Sequence, residues 1–540
     1  STVTGRTFHC SERKTDKTHF REACTKTADR YTTLDPNMKL PKSKDFVSAS
    51  ILKDWVTIAD DFFGSKEKQL GEYYFLELIK PADFAKGVTG DDSVTSLQLA
   101  KSTGMPAYPG PLRDHVVVDD EGRIVPSVDG SPLMQKCLDY YESMLEPGAG
   151  RMLVTKLFAK VEKHMVDTTS LDAEELAEVE LGKVCRLIQN VPTTAAVTLR
   201  IAFFFTLKFF SSFNAIWMSC YAMPPYALAS VCIHFTPGQK YTAASVDVSK
   251  MDTSIGGDVS NHVMAFVRAQ LQYMSSKYDS KLSSKGYDTY GAMLPLFDNV
   301  VYALQHWWSV NDGYATYISY GNISGSPITT HFNILVGVFV LHNVSISILT
   351  VLGLSNQEAW EYVKKHVHFS VYGDDMRVVV AEPQCPKLKS RLSCFTAGYI
   401  VDKITKFTGF KITHDLPGKF LCRSMVGGRL MLVPASLAKA FGCGLGPKEH
   451  LGSRGSTIDY FSTLIFTILI EFSASPTMYV DFVERLLDCD DSIVQACLDN
   501  LVIRAFSAPR GKLFLGADPS MVKACLSVDS PYEYDKLLKL

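Results

Sequence analysis

The sequence predicts an α+β fold with inserted subdomains. Three observations carry that expectation. Some stretches repeat their apolar residues with a helical period and others alternate like strands. The two kinds are mixed without a regular βαβ repeat. A Tyr372-Gly373-Asp374-Asp375 tetrad joins two apolar stretches as strand, tight turn, strand. With 540 residues, 46% hydrophobic and 21% charged, the chain has ample material for a large body of several subdomains.

The elements follow in order. Residues 1–100 begin polar, then show helical apolar spacing around Ile51–Phe63 and Tyr73–Ile79. Ser102–Gly110 is a Gly/Pro loop. Leu133–Met165 reads as helices with Gly148 and Gly150 between them, Glu174–Arg186 is charged, and Arg200–Phe213 reads as an apolar helix. Tyr241–Asp247 reads as a strand, Val259–Tyr278 as a long helix and Ala315–Ser319 as a strand. The Gly/Ser loop Gly321–Ser326 runs into a helical stretch, Thr329–Leu349. Residues 386–399 read as helix, Phe420–Met425 and Arg429–Val433 as a short hairpin, and 435–540 as mostly helical.

The stretches Val367–Val371 and Val378–Ala381 place two adjacent carboxylates at the tip of a rigid hairpin. Gly373 allows the backbone angles such a turn requires. Neighbouring carboxylates repel unless a cation sits between them, so the tip suits Mg²⁺, a hard ion that prefers oxygen ligands. With a third carboxylate nearby, such a site holds two metals and performs in-line phosphoryl transfer. The triplet alone is weak evidence, because Gly90-Asp91-Asp92 repeats it in a polar stretch that reads as a solvated turn. Asp247, at a strand end, is the candidate third carboxylate. Asp252 follows five residues on, near the sugar of a nucleotide held there; the bland alternative is a helix cap. Thr329 and Asn333, four apart, share one helix face and offer a hydroxyl and an amide to a ribose; the bland alternative is a loop capping a core helix.

Bulk composition narrows the partners. Lys+Arg 55 against Asp+Glu 57 leaves a net charge of −2, which argues against a basic coat protein. A nucleic acid must therefore bind in a local positive channel. Thirteen cysteines are scattered singly, without a CxxC pair or a zinc-type Cys/His cluster, as suits reduced thiols in a cytosolic setting. The polar start shows no signal-peptide pattern and no initiating Met, which suits equally a product cut from a longer precursor and an arbitrary boundary of the sequence. Phe209–Ile233 is uncharged and long enough to raise a membrane question, but Pro224-Pro225, Asn214 and several serines favour buried core. Gly337–Leu354 is apolar but short for a span.

Read together, the chain resembles viral RNA-dependent RNA polymerases of the picornavirus-like group, which includes the caliciviruses. That family carries D-x4-D, then SG-x3-T-x3-N, then YGDD; here stand Asp247/Asp252, then Ser324-Gly325/Thr329/Asn333, then Tyr372–Asp375. Gly182–Ile188 followed by Arg200–Phe203 is similar to the family's fingertip segment, with Lys183 one residue out of step. Ser102-Thr103-Gly104-Met105-Pro106 is similar to the loop through which template enters, and Phe420-Leu421-Cys422-Arg423 to the primer grip, with Cys422 in place of Lys. Lys406 fits the lysine that acts as general acid, with Lys403 and Lys411 as rivals.

The resemblance implies a right hand, with an antiparallel palm sheet flanked by helices: 1–240 fingers with N-terminal fingertips, 241–257 palm, 258–313 a fingers insertion, 314–434 palm and 435–540 thumb. It implies template-directed RNA synthesis by two-metal nucleotidyl transfer from NTPs to an RNA 3′-OH, replicating a positive-strand genome. Asp247, Asp374, Asp375 and Val248 would form the metal set for two Mg²⁺ ions, with Mn²⁺ as a substitute. Lys183, Arg186, Asp252, Ser324, Thr329 and Asn333 would bind the NTP. Ser102, Gly104, Gly325, Tyr372, Leu421 and Arg423 would contact template and product RNA. Other viral replication proteins or a protein primer are further implied partners, without a membrane span. The setting would be the host cytoplasm, in replication complexes, after release from a polyprotein. Two rivals remain at this point: a reverse transcriptase, which would carry a bulky steric gate in place of Asp252/Asn333, and a non-catalytic, membrane-associated RNA-binding scaffold.

Overall fold

Residues 329–351 carry no charged side chain, and they form one helix, Thr329–Val351, whose residues are buried on almost every side. By length and composition this helix could cross a membrane, but 83% of its most apolar 18-residue stretch is buried inside the protein. It is the core helix around which the rest is organised. The computed structural model describes residues 2–3, 6–12, 17–32, 40–98, 111–120, 123–159, 163–167, 186–221, 223, 240–311, 314–415, 419–421, 423–426 and 429–432, with 457–462, 464–465, 468, 481–482, 484–486 and 488–507.

Against the core helix lies a four-stranded antiparallel sheet. Its spatial order is Val367–Tyr372, Asp375–Ala381, Tyr241–Val248, Ile412–Asp415. The central strand Asp375–Ala381 is buried along almost its whole length, as a strand covered on both faces should be, while Tyr241–Val248 starts exposed and is buried only toward its end. The helices Asn356–His366 and Ala397–Thr408 pack beside it, the first opened by a capping box at Ser355/Glu358. On the other side of the core helix run Lys44–Leu70 and Gly257–Ser284, longer than the apolar spacing at 51–63 and 259–278 alone indicated. Trp55, Phe63, Phe205, Phe209 and Phe213 fill the space between them, Trp55 on Phe205 and Phe63 on Phe209 edge to face and Phe213 tilted against both Trp55 and Phe63. Each such buried ring contributes about 3–5 kcal/mol against Ala.

A second sheet has the order Tyr314–Ser319, His306–Asn311, Leu153–Ala159, Leu187–Asn190. It corrects the helical expectation for Leu133–Met165. Among the described residues only Pro132–Leu145 is helical there; Leu153, Thr155 and Leu157 point inward while Val154, Lys156 and Phe158 point to solvent, the period of a strand. Three further expectations are redrawn. Arg200–Phe213 is the end of Thr193–Ala202, then Phe204–Phe209, then a 3-10 turn at Ser211–Phe213. The helix expected at 386–399 is two, Pro386–Arg391 and Ala397–Thr408, the second starting at an N-cap Thr396. The hairpin at 420–433 is a three-stranded sheet of Lys419–Phe420, Arg423–Val426 and Arg429–Leu432.

The Gly90-Asp91-Asp92 copy is a turn, but Asp91 is not solvated. Its Oδ1 accepts from Ser93 and Val94 N–H at 2.8 and 2.9 Å, and its Oδ2 pairs with Lys208 at 3.0 Å. Arg200 is likewise structural: it is buried, its Nε donates to Gly87 carbonyl at 2.7 Å and its Nη2 to Thr95 carbonyl. The described part of Phe209–Ile233 breaks into short turns around buried Phe210, Phe213 and Trp217; residues 224–239 lie outside the described residues, as does most of 435–540.

Candidate active site

Register brings the aspartates together. In the ladder Asp247 stands opposite Asp375 on one side and Thr413 on the other. Directly opposed residues of an antiparallel pair share a face, with Cβ atoms about 4.5–5.5 Å apart. Val248 N–H donates to Asp374 carbonyl at 3.0 Å, which holds the hairpin tip against the end of the central strand. Tyr372 pairs with Asp375, so Gly373 and Asp374 are the two central residues of the turn. Gly373 has φ +62° while Asp374 stays at negative φ, the pattern of a type II′ hairpin turn. Val248 itself is fully buried and has only its main chain to offer a ligand.

The donor set at this sheet end is all carboxylate oxygen, which fits Mg²⁺ rather than a softer metal. Among the described residues no three His, Cys, Asp or Glu side chains are gathered closely enough to hold an ion as they stand. Like-charged carboxylates hold apart unless a cation lies between them, and on this backbone a turn about aspartate χ1 would be needed to gather them round one.

A cavity of about 440 Å³ opens here, with Asp374 and Asp252 on one wall and Arg186 and Lys250 beside them. The helix Lys17–Thr32 closes the other side with Lys26, Arg30 and Tyr31. Lys250 takes a left-handed conformation, φ +56°, to turn the strand into the 3-10 turn Met251–Thr253. That conformation is costly for a non-glycine residue. Its ammonium pKa is held below the usual lysine value by burial first and then by Arg30, Lys411 and Lys26. The cavity thus sets a cluster of mutually repelling cations beside its carboxylates, and a polyanion would relieve the repulsion.

Asp252 sits in the 3-10 turn. Burial pushes its pKa up to about 6, aided by the Asp374 charge and opposed by hydrogen bonds from Asn333 and Asn322 and by Arg186. Asn333 Nδ2 donates to Asp252 Oδ1 at 2.9 Å. Ser324 also borders the cavity, and its Oγ accepts from Gln189 N–H at 2.9 Å, tying the Gly/Ser loop to the second sheet.

Other residues singled out from sequence fall elsewhere. Thr329 is not in the cavity lining; its Oγ1 donates to Ile323 and Ser326 carbonyls at 2.7 and 2.9 Å, so its proton is committed to folding the loop. Gly325 is explained by packing: a Cβ there would fall 2.1 Å from Gln189 carbonyl oxygen. Lys406 is exposed in the last turn of its helix and does not line the cavity. Lys411 does not line it either, but its carbonyl accepts from Ser249 N–H at 2.9 Å and its charge is felt by Lys250. Tyr372 is part-exposed and stacks on Tyr221, centroids 6.4 Å apart. Leu421 has φ +51° beside the strand Lys419–Phe420, and Arg423 opens the next strand. Ser102, Gly104, Lys183 and Cys422 lie outside the described residues.

Sequence reasoning missed Lys26, Arg30 and Tyr31, because a polar helix gives no periodic signal. Lys250 and Asn322 were in plain view inside the quoted patterns, but nothing in spacing alone separates them from their neighbours.

No curated protein sequence matches the chain. A family model for viral RNA-dependent RNA polymerase matches residues 129–437, more than half of its length. The chain belongs to that family. The polymerase also aligns with the Sicinivirus 3Dpol RNA dependent RNA polymerase at a TM-score of 0.50 and 14% identity, over 91% of this chain and 82% of that one. At that identity the likeness speaks for the right-hand α+β fold alone. The polymerase is a nucleotidyltransferase that synthesises RNA on an RNA template, with RNA and nucleoside triphosphates as its partners.

Proposed function

We propose that the polymerase replicates a positive-strand viral RNA by joining NTPs to an RNA 3′-OH, with Asp247, Asp374 and Asp375 as the carboxylates for two Mg²⁺ ions. The observation that carries this reading is the register that sets Asp247 opposite Asp375 with Asp374 bonded to Val248. When bound, the ions supply charge neutralisation at the attacking and leaving oxygens, and Mn²⁺ is a chemically reasonable substitute.

The chain's own residues do the rest. Arg186, Lys250, Lys26 and Arg30 receive the triphosphate; each positive charge at ~4 Å is worth about 4 kcal/mol at an effective dielectric of 20. Arginine's planar fork matches phosphate oxygens and never loses its charge. Asp252 and Asn333 read the ribose, since a 2′-OH both donates and accepts. Of the candidates Lys403, Lys406 and Lys411, Lys411 is the one whose charge reaches Lys250 at the cavity, which supports it as the donor of the departing pyrophosphate's proton. Base choice is left to pairing with the template. The division into fingers (1–240 and 258–313), palm (241–257 and 314–434) and thumb (435–540) belongs to the same proposal. So do release from a polyprotein, work in cytoplasmic replication complexes, and contact with other replication proteins or a protein primer.

Primer extension on an RNA template tests the reading. Product should form with Mg²⁺ and stop in EDTA, and Asp374→Ala should abolish synthesis while folding normally. Wild-type synthesis by Asp374→Ala would end the metal assignment. Asn333→Ala should lose preference for NTP over dNTP.

A further inference from the structure

We propose that Asn322 is a specificity-determining positioning residue: its side-chain amide fixes which atoms of Asp252 and Asn333 are left to read the 2′-hydroxyl. The inference rests on the proposed role of Asp252 and Asn333 at the ribose and goes beyond it to the residue that sets their orientation.

Asn322 is buried, and three oxygens surround its Nδ2. Asn333 Oδ1 lies at 2.8 Å, Asp252 Oδ1 at 3.3 Å and Thr329 carbonyl at 3.3 Å. All three are acceptors, so only the NH₂ end of the amide fits there; the flipped amide would press its oxygen against three others. Of its two hydrogens, the one on the shortest contact goes to Asn333, and the second lies between Asp252 and Thr329. The main chain adds a further tie, since Asn322 N–H donates to Asp252 carbonyl at 2.7 Å.

That arrangement decides Asn333 in turn. With its Oδ1 engaged by Asn322, its NH₂ end must face Asp252 Oδ1, the 2.9 Å contact observed. Counting what remains, Asn333 keeps one N–H and Asp252 keeps Oδ2. A ribose 2′-OH that donates to Oδ2 and accepts from that N–H satisfies both. Without Asn322, Asn333 Oδ1 has no donor holding it, and the amide is free to turn its oxygen toward the carboxylate. The reader pair then no longer presents one donor and one acceptor.

Asn322 is itself braced from behind. Tyr31 Oη, buried in the helix Lys17–Thr32, lies 3.1 Å from Asn322 carbonyl and 3.3 Å from Gln189 Oε1. Its ring meets Trp307 edge to face at 5.7 Å. The amide therefore projects from a main chain held at both ends, by Asp252 and by Tyr31.

The test is single-nucleotide incorporation by Asn322→Leu and the smaller Asn322→Ser, with Asn333→Ala beside them. Each is assayed with an NTP, its 2′-deoxy and its 3′-deoxy analogue. The kcat/KM ratio of NTP to 2′-dNTP should fall at least about tenfold in both Asn322 variants, the equivalent of one hydrogen bond. The ratio of NTP to 3′-dNTP should stay at the wild-type value, because a merely damaged site would move both ratios. An unchanged 2′ ratio in the Asn322 variants while Asn333→Ala lowers it overturns the inference. So does a joint fall of both ratios. If Asn333→Ala also leaves the 2′ ratio unchanged, the ribose reading itself fails and this inference falls with it.

Discussion

Replacing Gly337 by Ala adds one methyl group to the core helix, at the point where it passes the catalytic hairpin. The new Cβ would lie 2.7 Å from Val371 Cγ1 and 3.5 Å from Met376 Cε. Carbon atoms rest at about 3.5 Å or more, so about 0.8 Å must be found. Val371 has little room to yield. It is fully buried, β-branched, and bonded through its N–H to Met218 carbonyl and through its carbonyl to Cys220 N–H, both at 2.9 Å. The strand itself must move, and Val371 is one residue before Tyr372. Ala gains about 1 kcal/mol of helix propensity over Gly, while overpacking costs about 1–3 kcal/mol. Net stability should fall by no more than about 2 kcal/mol. Activity should fall further, because a displacement near 1 Å at reacting groups costs on the order of 10²-fold. Urea unfolding alongside single-turnover primer extension separates the two effects. Val371→Ala in the Gly337→Ala background makes room for the methyl and should recover much of the lost rate. Wild-type turnover by Gly337→Ala alone would refute the claim that this contact sets the hairpin.

Three further outcomes are expected. Asp252 titrates near 6 in the fold against an ordinary 3.8, so its ionisation opposes folding: no penalty below about pH 4, a growing one from 4 to 6, and the whole of it above. Asp252→Asn should stabilise the protein in EDTA at pH 7 by on the order of 2–3 kcal/mol and not at pH 4, as read by thermal denaturation at the two pH values. Lys411→Leu should lower kcat by about 10²-fold while Lys406→Leu stays near wild type in the same primer-extension assay; the reverse result would restore Lys406 as the acid. Asp91→Ala leaves Lys208 and two backbone N–H groups unpartnered and should cost about 2–3 kcal/mol by chemical denaturation, with turnover per folded molecule unchanged.

What the sequence made legible was local. The strand at 241, the helices at 259 and 329 and the hairpin at 373 each carry their own period or turn chemistry, and each appears within a few residues of its expected bounds. The helix Tyr290–Gln305 and the strand His306–Asn311 were passed over, since a helix carrying Pro295 that runs straight into a strand has no break to announce it. The strand Leu153–Ala159 was misread as helix because seven residues are too few to tell the periods apart without neighbours. At the site, the aspartates and asparagine stood out because they fall in short ordered patterns, although a strand, a 3-10 turn, a hairpin and a helix carry them. Thr329 shares the same spacing, yet its hydroxyl turned inward to the loop, which only tertiary structure decides.

The helix Lys17–Thr32 walls a cavity whose carboxylates come from more than two hundred residues later. Lys26 and Arg30 sit there beside Lys250 and help to hold its ammonium pKa down, a like-charge contact that a bound polyanion would ease. Docking and anion binding are then linked, each strengthening the other by the same factor. Nucleotide should protect the backbone amides of residues 17–32 from hydrogen exchange, and anything that prises that segment loose should lower nucleotide affinity while the aspartates stay untouched.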